Sequence, residues 1–336
     1  MKRLSNWGLI LAFAVQIYGS SAGAQESKMS EAEVTKYEQT IIANPNDEKA
    51  RRKLLIHFGS KPQMDANSKK QLSDQVFWYI KNHPDFKDTD IDATCMIHRD
   101  SDEAAYQAGK KLWLEQTVVK DYVAQVQANA AWYFQVNGEN DLGEKYLLAA
   151  QKLEQKSQVR ADNLGLFYNT FSHRKTGNEC SMCLKKSLYW LEKAKQLGDT
   201  PYNLPALAFV ACEAKQNEKA QKYAQLALDN GFSKNDAACV HYGNLVMGRL
   251  ALRNKDLPMA KKYLLQSAKF HAGMKYWGDP NMSLAKELLE NREKAPVLQY
   301  FELCGKFWPS GKDRLKTWSA TVKQGKIPDF GASLHY

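Results

Sequence analysis

The chain has 336 residues, of which 44% are hydrophobic and 25% are charged, and its formal net charge at pH 7 is +10. It contains only 10 prolines and 19 glycines and no long low-complexity tract, which excludes a largely disordered protein. The basic excess favours acidic surfaces or partners, but no basic run is interleaved with aromatic residues, so we predict no nucleic-acid binding.

Residues 1–24 have the pattern of a signal peptide. Two basic residues come first, a short apolar stretch follows from Trp7 to Tyr18, and an Ala-x-Ala site places cleavage before Gln25. The apolar stretch is too short to span a bilayer, which requires about 20 residues. A buried N-terminal helix is the alternative. We predict an exported protein, periplasmic or secreted, without a membrane span.

Residues 25–100 are predicted to form an N-terminal helical region with partial repeats. A capping box of Ser30 and Glu33 begins the first helix. Further helices are expected at 48–58 and 67–82, and a solvated loop is expected at 85–100. Three aspartates alternate in this loop. The glycine and terminal glutamate of a calcium-binding loop are missing, so we predict no metal site there.

Four sets of apolar or small residues recur at the spacing x, x+12, x+16 and x+19. This spacing is typical of two packed antiparallel helices that touch through small side chains. Recurrence about every 35–40 residues predicts an all-α fold, namely an α-solenoid of antiparallel helix pairs over residues 101–308, with about fourteen helices in the chain and no substantial sheet. The sets are Ala131, Gly143, Leu147, Ala150; Ala208, Ala220, Ala224, Ala227; Gly248, Ala260, Leu264, Ser267; and Ala285, Val297, Phe301, Cys304.

Gly165 begins a further set that is interrupted. Its partners Ser187, Leu191 and Ala194 follow ten residues later than in the other sets. We expect this insertion to lie in the turn between the two helices. Residues 309–336 are predicted to form a C-terminal capping helix, followed by an extended and docked tail.

The stretch from Gly248 to Asp256, continued through Ala260, resembles a tetratricopeptide-repeat unit. Lys255 stands where that family usually has glycine. The resemblance covers about residues 120–308, with a weaker one over 30–60. The segments NMSLAKELLE, YFELCGKFW and IPDFGASLHY are also similar to the ends of uncharacterised exported bacterial repeat proteins. These resemblances imply a helical-repeat scaffold and no particular activity.

Six cysteines are present, and an even number in an exported chain permits disulfides. Cys180 and Cys183 form a C-x-x-C motif at the start of a helix, and the antiparallel helix that follows should return Cys212 to the same level. Because neighbouring helices lie about 8–10 Å apart, we predict a disulfide from Cys212 to Cys180 or Cys183. A zinc site that adds His173, or unbridged thiols, are the alternatives. Cys304 is expected in the core.

The motifs of common enzymes are missing from the sequence. We find no nucleophile elbow, Gly-rich phosphate loop, H-E-x-x-H sequence or paired-carboxylate signature. The seven histidines are scattered, and we expect each of them, including His241, to lie at the surface or to cap a helix. We predict no catalytic residue, no resident metal and no cofactor. A hydrolase of envelope polymers with dispersed residues, and a Cys/His metal or redox module, are the alternatives.

The inner face of the array is the predicted binding site. In tetratricopeptide-like arrays the first helix of each pair lines the groove, so residues at x−3, x+1, x+4 and x+5 should point inward. Polar and basic side chains there can hold a peptide backbone or carboxylate, and aromatic ones can anchor apolar side chains. We predict that a positive patch binds a protein or peptide partner, with an acidic segment as one candidate. The predicted binding residues are Trp132, Gln135, Asn169, Phe209, Arg249, Arg253 and Lys286.

Overall fold

The structure is a computed structural model that describes residues 29–61, 64–87, 97–198, 203–269 and 279–336. The predicted signal peptide, Cys95 and the three alternating aspartates lie outside these ranges. Within them the chain forms fifteen α-helices and no β-strand, which confirms the all-α prediction. In the same ranges, no helix combines the length and the apolarity that crossing a lipid bilayer requires.

The described helices belong to two compact units that divide between Lys156 and Ser157, inside the stretch predicted as a single array. Unit 1, which ends at Lys156, contains α1 (Glu31–Ala43), α2 (Glu48–Gly59), α3 (Ala66–Asn82), α4 (Glu103–Val119), α5 (Ala124–Val136) and α6 (Asn140–Leu153). Unit 2, which begins at Ser157, contains α7 (Gln158–Ser172), α8 (Gly177–Leu197), α9 (Asn203–Glu213), α10 (Asn217–Lys234), α11 (Ala237–Arg253), α12 (Leu257–Ser267), α13 (Ser283–Glu290), α14 (Lys294–Phe307) and α15 (Lys312–Lys323).

Unit 1 begins with the predicted capping box. The Glu33 amide donates to Ser30 Oγ at 3.3 Å, and the Ser30 amide donates to Glu33 Oε2 at 2.8 Å. The core of this unit contains the fully buried rings of Tyr106, Trp113 and Tyr133. The rings of Tyr106 and Tyr133 stack with their centroids 5.6 Å apart, which joins α4 to α5.

Unit 2 is built from helix hairpins that contact one another in order. Along the chain each helix packs on the next, and in addition α7 contacts α9, α9 contacts α11, α11 contacts α13, and α12 contacts α14. The first helix of each hairpin therefore lies against the first helix of the following one. This arrangement lets successive hairpins share one continuous core.

Residues of the repeated spacing lie where the helices touch. A Cβ atom added to Gly248 would overlap Leu284 Cδ2, and one added to Gly165 would lie 2.6 Å from Leu191 Cγ. The Ser187 hydroxyl donates to the Gly165 carbonyl at 2.7 Å, which confirms the pairing predicted for the interrupted set. The other members of the three uninterrupted sets of unit 2 are also buried: Ala208, Ala220, Ala224, Ala227, Ala260, Leu264, Ser267, Ala285, Val297, Phe301 and Cys304.

Four hairpins turn through the same left-handed backbone conformation. The φ angle is 80° at Gly138, 59° at Lys215, 62° at Lys255 and 63° at Arg292. Each of these residues stands seven positions after the first member of its set. In each turn the next amide donates to the carbonyl five residues earlier, with N–O distances of 2.9 Å. The hairpins therefore repeat in local backbone structure as well as in sequence.

The insertion after Gly165 lengthens helices, and the expectation of a long turn is wrong. Helix α7 continues to Ser172 and α8 begins at Gly177, so only four residues separate them. The reason is that no proline or glycine interrupts the sequence after Gly177 until α8 has ended. Glu179 in the first turn also suits the positive end of the helix dipole. Helical hydrogen bonds therefore extend through most of the inserted residues.

The C-terminal region forms a helix and a docked tail, but the tail is not extended throughout as predicted, because Gly331–Leu334 form a short 3-10 helix. Helix α15 buries Leu315, Trp318 and Val322 on one stripe. The Trp318 indole donates to the Asp329 carbonyl at 3.2 Å, and Phe330 is only 3% exposed. The chain is thus fixed on α15 up to Phe330.

Candidate functional site

Beyond Phe330, residues 331–336, here called the tail segment, lie across α7, α11 and the start of α13. Three hydrogen bonds from unit 2 reach main-chain oxygens of this segment. They are Met282 N to Ser333 O at 2.7 Å, Asn281 Nδ2 to His335 O at 3.0 Å and Asn169 Nδ2 to Tyr336 O at 3.4 Å. Unit 2 therefore recognises the backbone of this segment. We call the residues that contact it, Asn169, Phe209, Tyr242, Asn281 and Met282, the tail-binding face.

Tyr336 is the aromatic anchor of the tail segment. Its ring lies 4.6 Å from the Tyr242 ring and 6.1 Å from the Phe209 ring, measured between centroids. Phe209 is fully buried, so it forms the floor of this pocket. Burial raises the pKa of the Tyr336 phenol well above its usual value. The anchor is therefore a neutral aromatic group in a pocket that α9 and α11 build.

Two histidine rings stack at the end of α7. The centroids of His173 and His335 are 4.0 Å apart, with an interplanar angle of 30°. Burial, and then the neighbouring His335, lower the pKa of His173 to about 3. Burial also lowers the pKa of His335, although Glu213 acts in the opposite direction. Both imidazoles are therefore neutral at pH 7 when the tail segment is docked.

Helix α7 carries three polar groups that the tail segment leaves without a partner. Asp162, Asn169 and His173 are spaced by seven and four residues, which places them along one side of the helix. Asn169 Oδ1 and His173 Nε2 are buried without a hydrogen-bond partner among the described residues. The structure gives the Asp162 carboxylate neither a hydrogen bond nor an ion pair within those same ranges, and burial raises its pKa to about 7.

We predicted that Arg249 contributes free positive charge to an open patch. The structure contradicts this prediction. The Arg249 side chain is 9% exposed and forms ion pairs with Glu213 on α9 and with Glu287 on α13, the latter at 2.6 Å. Its guanidinium also lies over the Phe209 ring, 5.6 Å from the centroid. Arg249 therefore joins three helices of unit 2.

The other two cations of the predicted patch are also engaged. Arg253 is exposed, and it donates to the Cys212 carbonyl at 2.9 Å and to Asn217 Oδ1 at 2.8 Å. Lys286 forms an ion pair with Glu290, one turn further along α13. With Glu213 and Glu287 beside Arg249, this surface holds as many carboxylates as cations. The predicted positive patch is a neutral network.

The remaining predicted binding residues, Trp132 and Gln135, belong to unit 1. Trp132 is partly buried on α5, and its indole Nε1 has no hydrogen-bond partner in the described ranges. Gln135 packs on the α5–α6 hairpin, where its Cγ lies 2.6 Å from the position of a Cβ added to Gly143. Of the seven predicted residues, the structure brings only Asn169 and Phe209 directly to the tail segment.

The described cysteines are free thiols in this structure. Cys212 and Cys304 are fully buried, as expected for Cys304, and burial raises the pKa of Cys212. The disulfide from Cys212 to Cys180 or Cys183 stays a prediction that mass mapping of the non-reduced protein tests. Among the described residues, no group of three or more His, Cys, Asp or Glu side chains is arranged to hold a metal ion.

His241 is the functional residue whose position the sequence did not indicate. It is fully buried, which corrects the expectation of a surface or capping histidine. Its Nδ1 lies 2.8 Å from the Ser267 carbonyl, and its Nε2 accepts from the Asn281 amide at 3.0 Å. Burial lowers its pKa to about 4. Neutral His241 therefore fixes the backbone at Asn281, whose side chain binds the tail segment.

No protein-family model matches this chain, and no curated protein matches it.

Proposed function

We propose that this chain is an exported, tetratricopeptide-like helical-repeat scaffold that binds a segment of a protein or peptide partner on the tail-binding face of unit 2. The observation that carries the proposal is the docked tail segment. Three main-chain carbonyls and one aromatic side chain hold it there. A surface that already binds the backbone of a short 3-10 helix and of the two residues after it is suited to other polypeptide segments.

The repeat assignment is supported by local structure. Four hairpins share one left-handed turn at the same position, and in unit 2 the first helices contact one another in order. Repeats of this kind present one side chain per hairpin to a shared surface. On the tail-binding face these side chains include Asn169 from α7, Phe209 from α9 and Tyr242 from α11.

The role that we propose is binding without catalysis. Asn169 and Asn281 donate to main-chain carbonyls, and Arg249 is engaged by Glu213 and Glu287. These side chains position a segment and hold hairpins together. The partner is a protein or peptide, since three N–H donors that reach main-chain oxygens of residues 333, 335 and 336 match a polypeptide backbone.

Photo-crosslinking tests the proposed surface. A photoreactive amino acid replaces Thr170, which is exposed beside Asn169, and the matched control carries it at Tyr189, which is 59% exposed on α8. In cells that express the chain, we expect a protein or peptide adduct at position 170 and not at 189. Equal adducts at both positions, or none at 170, would contradict the proposal.

Export has its own test. Mass analysis of the protein from the producing cells should find a mature chain that begins at Gln25, outside the cytoplasm. A chain that retains Met1 and stays in the cytoplasm would show that residues 1–24 are not a signal peptide.

A further inference from the structure

We propose that the tail-binding face recognises a polypeptide segment that combines an aromatic anchor with a basic side chain, and that the tail segment is an intramolecular competitor for this site. This inference rests on the function proposed above. It adds the chemistry of the ligand and the identity of the group that the ligand displaces.

The first argument is that the tail segment does not satisfy the site. It supplies the anchor ring and three carbonyls, but Asn169 Oδ1 and His173 Nε2 stay buried without a partner among the described residues. The Asp162 carboxylate, on the same side of α7, also lacks a partner in that part of the chain. Buried polar atoms are normally paired, so these two unpaired atoms, together with the partly exposed Asp162 carboxylate in the same row, indicate a ligand that brings donors. Peptide amides and a basic side chain are such donors.

The second argument is the sign of the charge at the anchor. The groups that act on Tyr336 are Tyr242, Cys239 and the carboxylates of Asp162 and Asp236. Asp236 accepts the amides of Ala238 and Cys239 at the start of α11, so its charge is stabilised within the fold. The Asp162 carboxylate has no such partner. A lysine or arginine side chain next to the aromatic anchor of the ligand would supply this missing partner of the Asp162 carboxylate.

The charge near His335 is also negative, as it is near Tyr336. Glu213 is the charged group that acts on His335, and His173 is stacked on it. Arg249, whose guanidinium lies over the Phe209 ring of this face, is held by Glu213 and Glu287. An acidic segment would therefore meet the carboxylates of Asp162 and Glu213, whereas a basic segment would meet the Asp162 carboxylate, which has no partner among the described residues.

The tail segment can leave this face without unfolding the unit. Phe330 is buried against Trp318, with ring centroids 5.1 Å apart, and fixes the chain there. Gly331 follows with a φ of 52° and no atom within 4 Å of an added Cβ, so it is free to act as a hinge. Only the six residues after Phe330 have to move.

Fluorescence anisotropy with two labelled peptides tests the proposal on the full chain. One peptide has the tail sequence Gly-Ala-Ser-Leu-His-Tyr, and the other carries one arginine after the tyrosine. Tyr336→Ala vacates the anchor pocket. We expect both peptides to bind this variant at least about tenfold more tightly than the wild-type chain, and the arginine peptide to bind it about tenfold more tightly than the other.

Asp162→Asn, added to Tyr336→Ala, should reduce the preference for arginine to about twofold or less, because the charged partner is gone. Asp229→Asn makes the same charge change at an exposed position of α10, and should leave the preference intact. If Tyr336→Ala fails to fold, His335→Ala replaces it, since that change removes only the stacked imidazole, and the same order of affinities is expected.

Equal binding of the two peptides, or a preference that survives Asp162→Asn, would overturn the proposed ligand chemistry. Equal binding by wild type and by Tyr336→Ala would overturn the competition. If neither peptide binds but crosslinking at position 170 persists, this inference is wrong and the proposed function stands. Loss of both peptide binding and crosslinking at position 170 would reject the proposed function as well.

Discussion

The two units each contain a charge cluster, and the residues at the centres of the two clusters have opposite signs. In unit 1, Glu139 accepts from Lys110 Nζ at 2.7 Å and from Arg99 Nη2 at 2.9 Å, so one carboxylate holds two cations. In unit 2, Arg249 pairs with Glu213 and Glu287, so one guanidinium holds two carboxylates. Arg99 also forms an ion pair with Glu103 at 3.3 Å, so the cluster of unit 1 is balanced, whereas the cluster of unit 2 carries an excess negative charge.

This comparison shows that the net charge of the chain does not predict the charge of its binding surface. The sequence carries a formal charge of +10, yet the described groups around the tail segment include Asp162, Asp236 and Glu213 and no free cation. The clusters also differ in burial, since the side chain of Glu139 is 23% exposed and that of Arg249 is 9% exposed. Disruption should therefore cost more in unit 2.

The largest effect is expected from Arg249→Met. The change leaves Glu213 and Glu287, 30% and 27% exposed, without their shared cation. We expect the free energy of unfolding of unit 2 to fall by about 2–4 kcal/mol, somewhat less than for a fully buried pair. Glu139→Gln in unit 1 should cost about 1–2 kcal/mol, since that cluster is more exposed. Urea unfolding of both full-chain variants measures the two losses. Equal losses of the free energy of unfolding would mean that the difference in burial between the two clusters does not change what they contribute to stability.

The hairpins could be predicted from sequence because their signal is local. Small residues at a fixed spacing mark where two helices touch, and Gly165, Ser187 and Gly248 lie at such contacts. The position of the turn in each hairpin follows from the same spacing. The inserted residues were placed wrongly because spacing counts residues without saying whether they extend a turn or a helix.

The site could be predicted only in part, because its contacts are distant in sequence. Asn169 and Phe209 were found from their positions on first helices, but Tyr336 is 167 residues from Asn169, and no periodicity joins the two. The two carboxylates that pair with Arg249 were not predicted, although the sequence contains a signal for them. Glu213 and Glu287 lie 36 and 38 residues away, about one repeat in each direction. Comparing charges at one repeat length would have found them.

Glycine-to-alanine changes compare the hairpin contacts of the two units. At Gly248 the new Cβ would overlap Leu284 Cδ2 and lie 3.1 Å from Tyr263 Cβ, an atom next to the backbone that cannot move away. At Gly143 it would meet only Gln135 Cγ at 2.6 Å and more distant atoms, and that long side chain can move. We expect Gly248→Ala to destabilise by about 1–2 kcal/mol and Gly143→Ala to be close to neutral. Thermal unfolding of both variants is the measurement, and an unchanged melting temperature for Gly248→Ala would show that α11 and α13 are not this close.

The unpaired Asp162 and the paired Glu139 should respond to pH in opposite ways. The hydrogen bond from Lys110, the largest cause, lowers the pKa of Glu139, so its contribution to stability is present above its unfolded pKa and is lost as the pH falls further. Burial raises the pKa of Asp162 to about 7, so the carboxylate destabilises the fold at pH 7.5, and this penalty disappears as the pH falls towards 4.

Asp162→Asn should therefore stabilise unit 2 at pH 7.5 by about 1–2 kcal/mol, a value reduced for its partial exposure, and should have little effect at pH 4. Asp279→Asn is the control in the same unit. Asp279 accepts from the Trp308 indole at 2.7 Å and from Arg314 at 3.0 Å, so its loss should destabilise. Urea unfolding at the two pH values distinguishes them. A destabilising Asp162→Asn at pH 7.5 would mean that this carboxylate has a structural partner.

The smallest effects concern the shared turn. Lys255 adopts a left-handed φ of 62°, whereas the equivalent turn of unit 1 has Gly138, with φ 80°. Glycine adopts this conformation without the steric penalty of a Cβ, which explains why tetratricopeptide-like repeats usually carry glycine there. Lys255→Gly should therefore raise the free energy of unfolding by about 0.5–1 kcal/mol, and Gly138→Lys should lower it by a similar amount. Asn254→Gly, where φ is −83°, should give no gain. If Lys255→Gly stabilises no more than Asn254→Gly, the gain does not come from the left-handed conformation, and the hairpins of the two units do not share one turn.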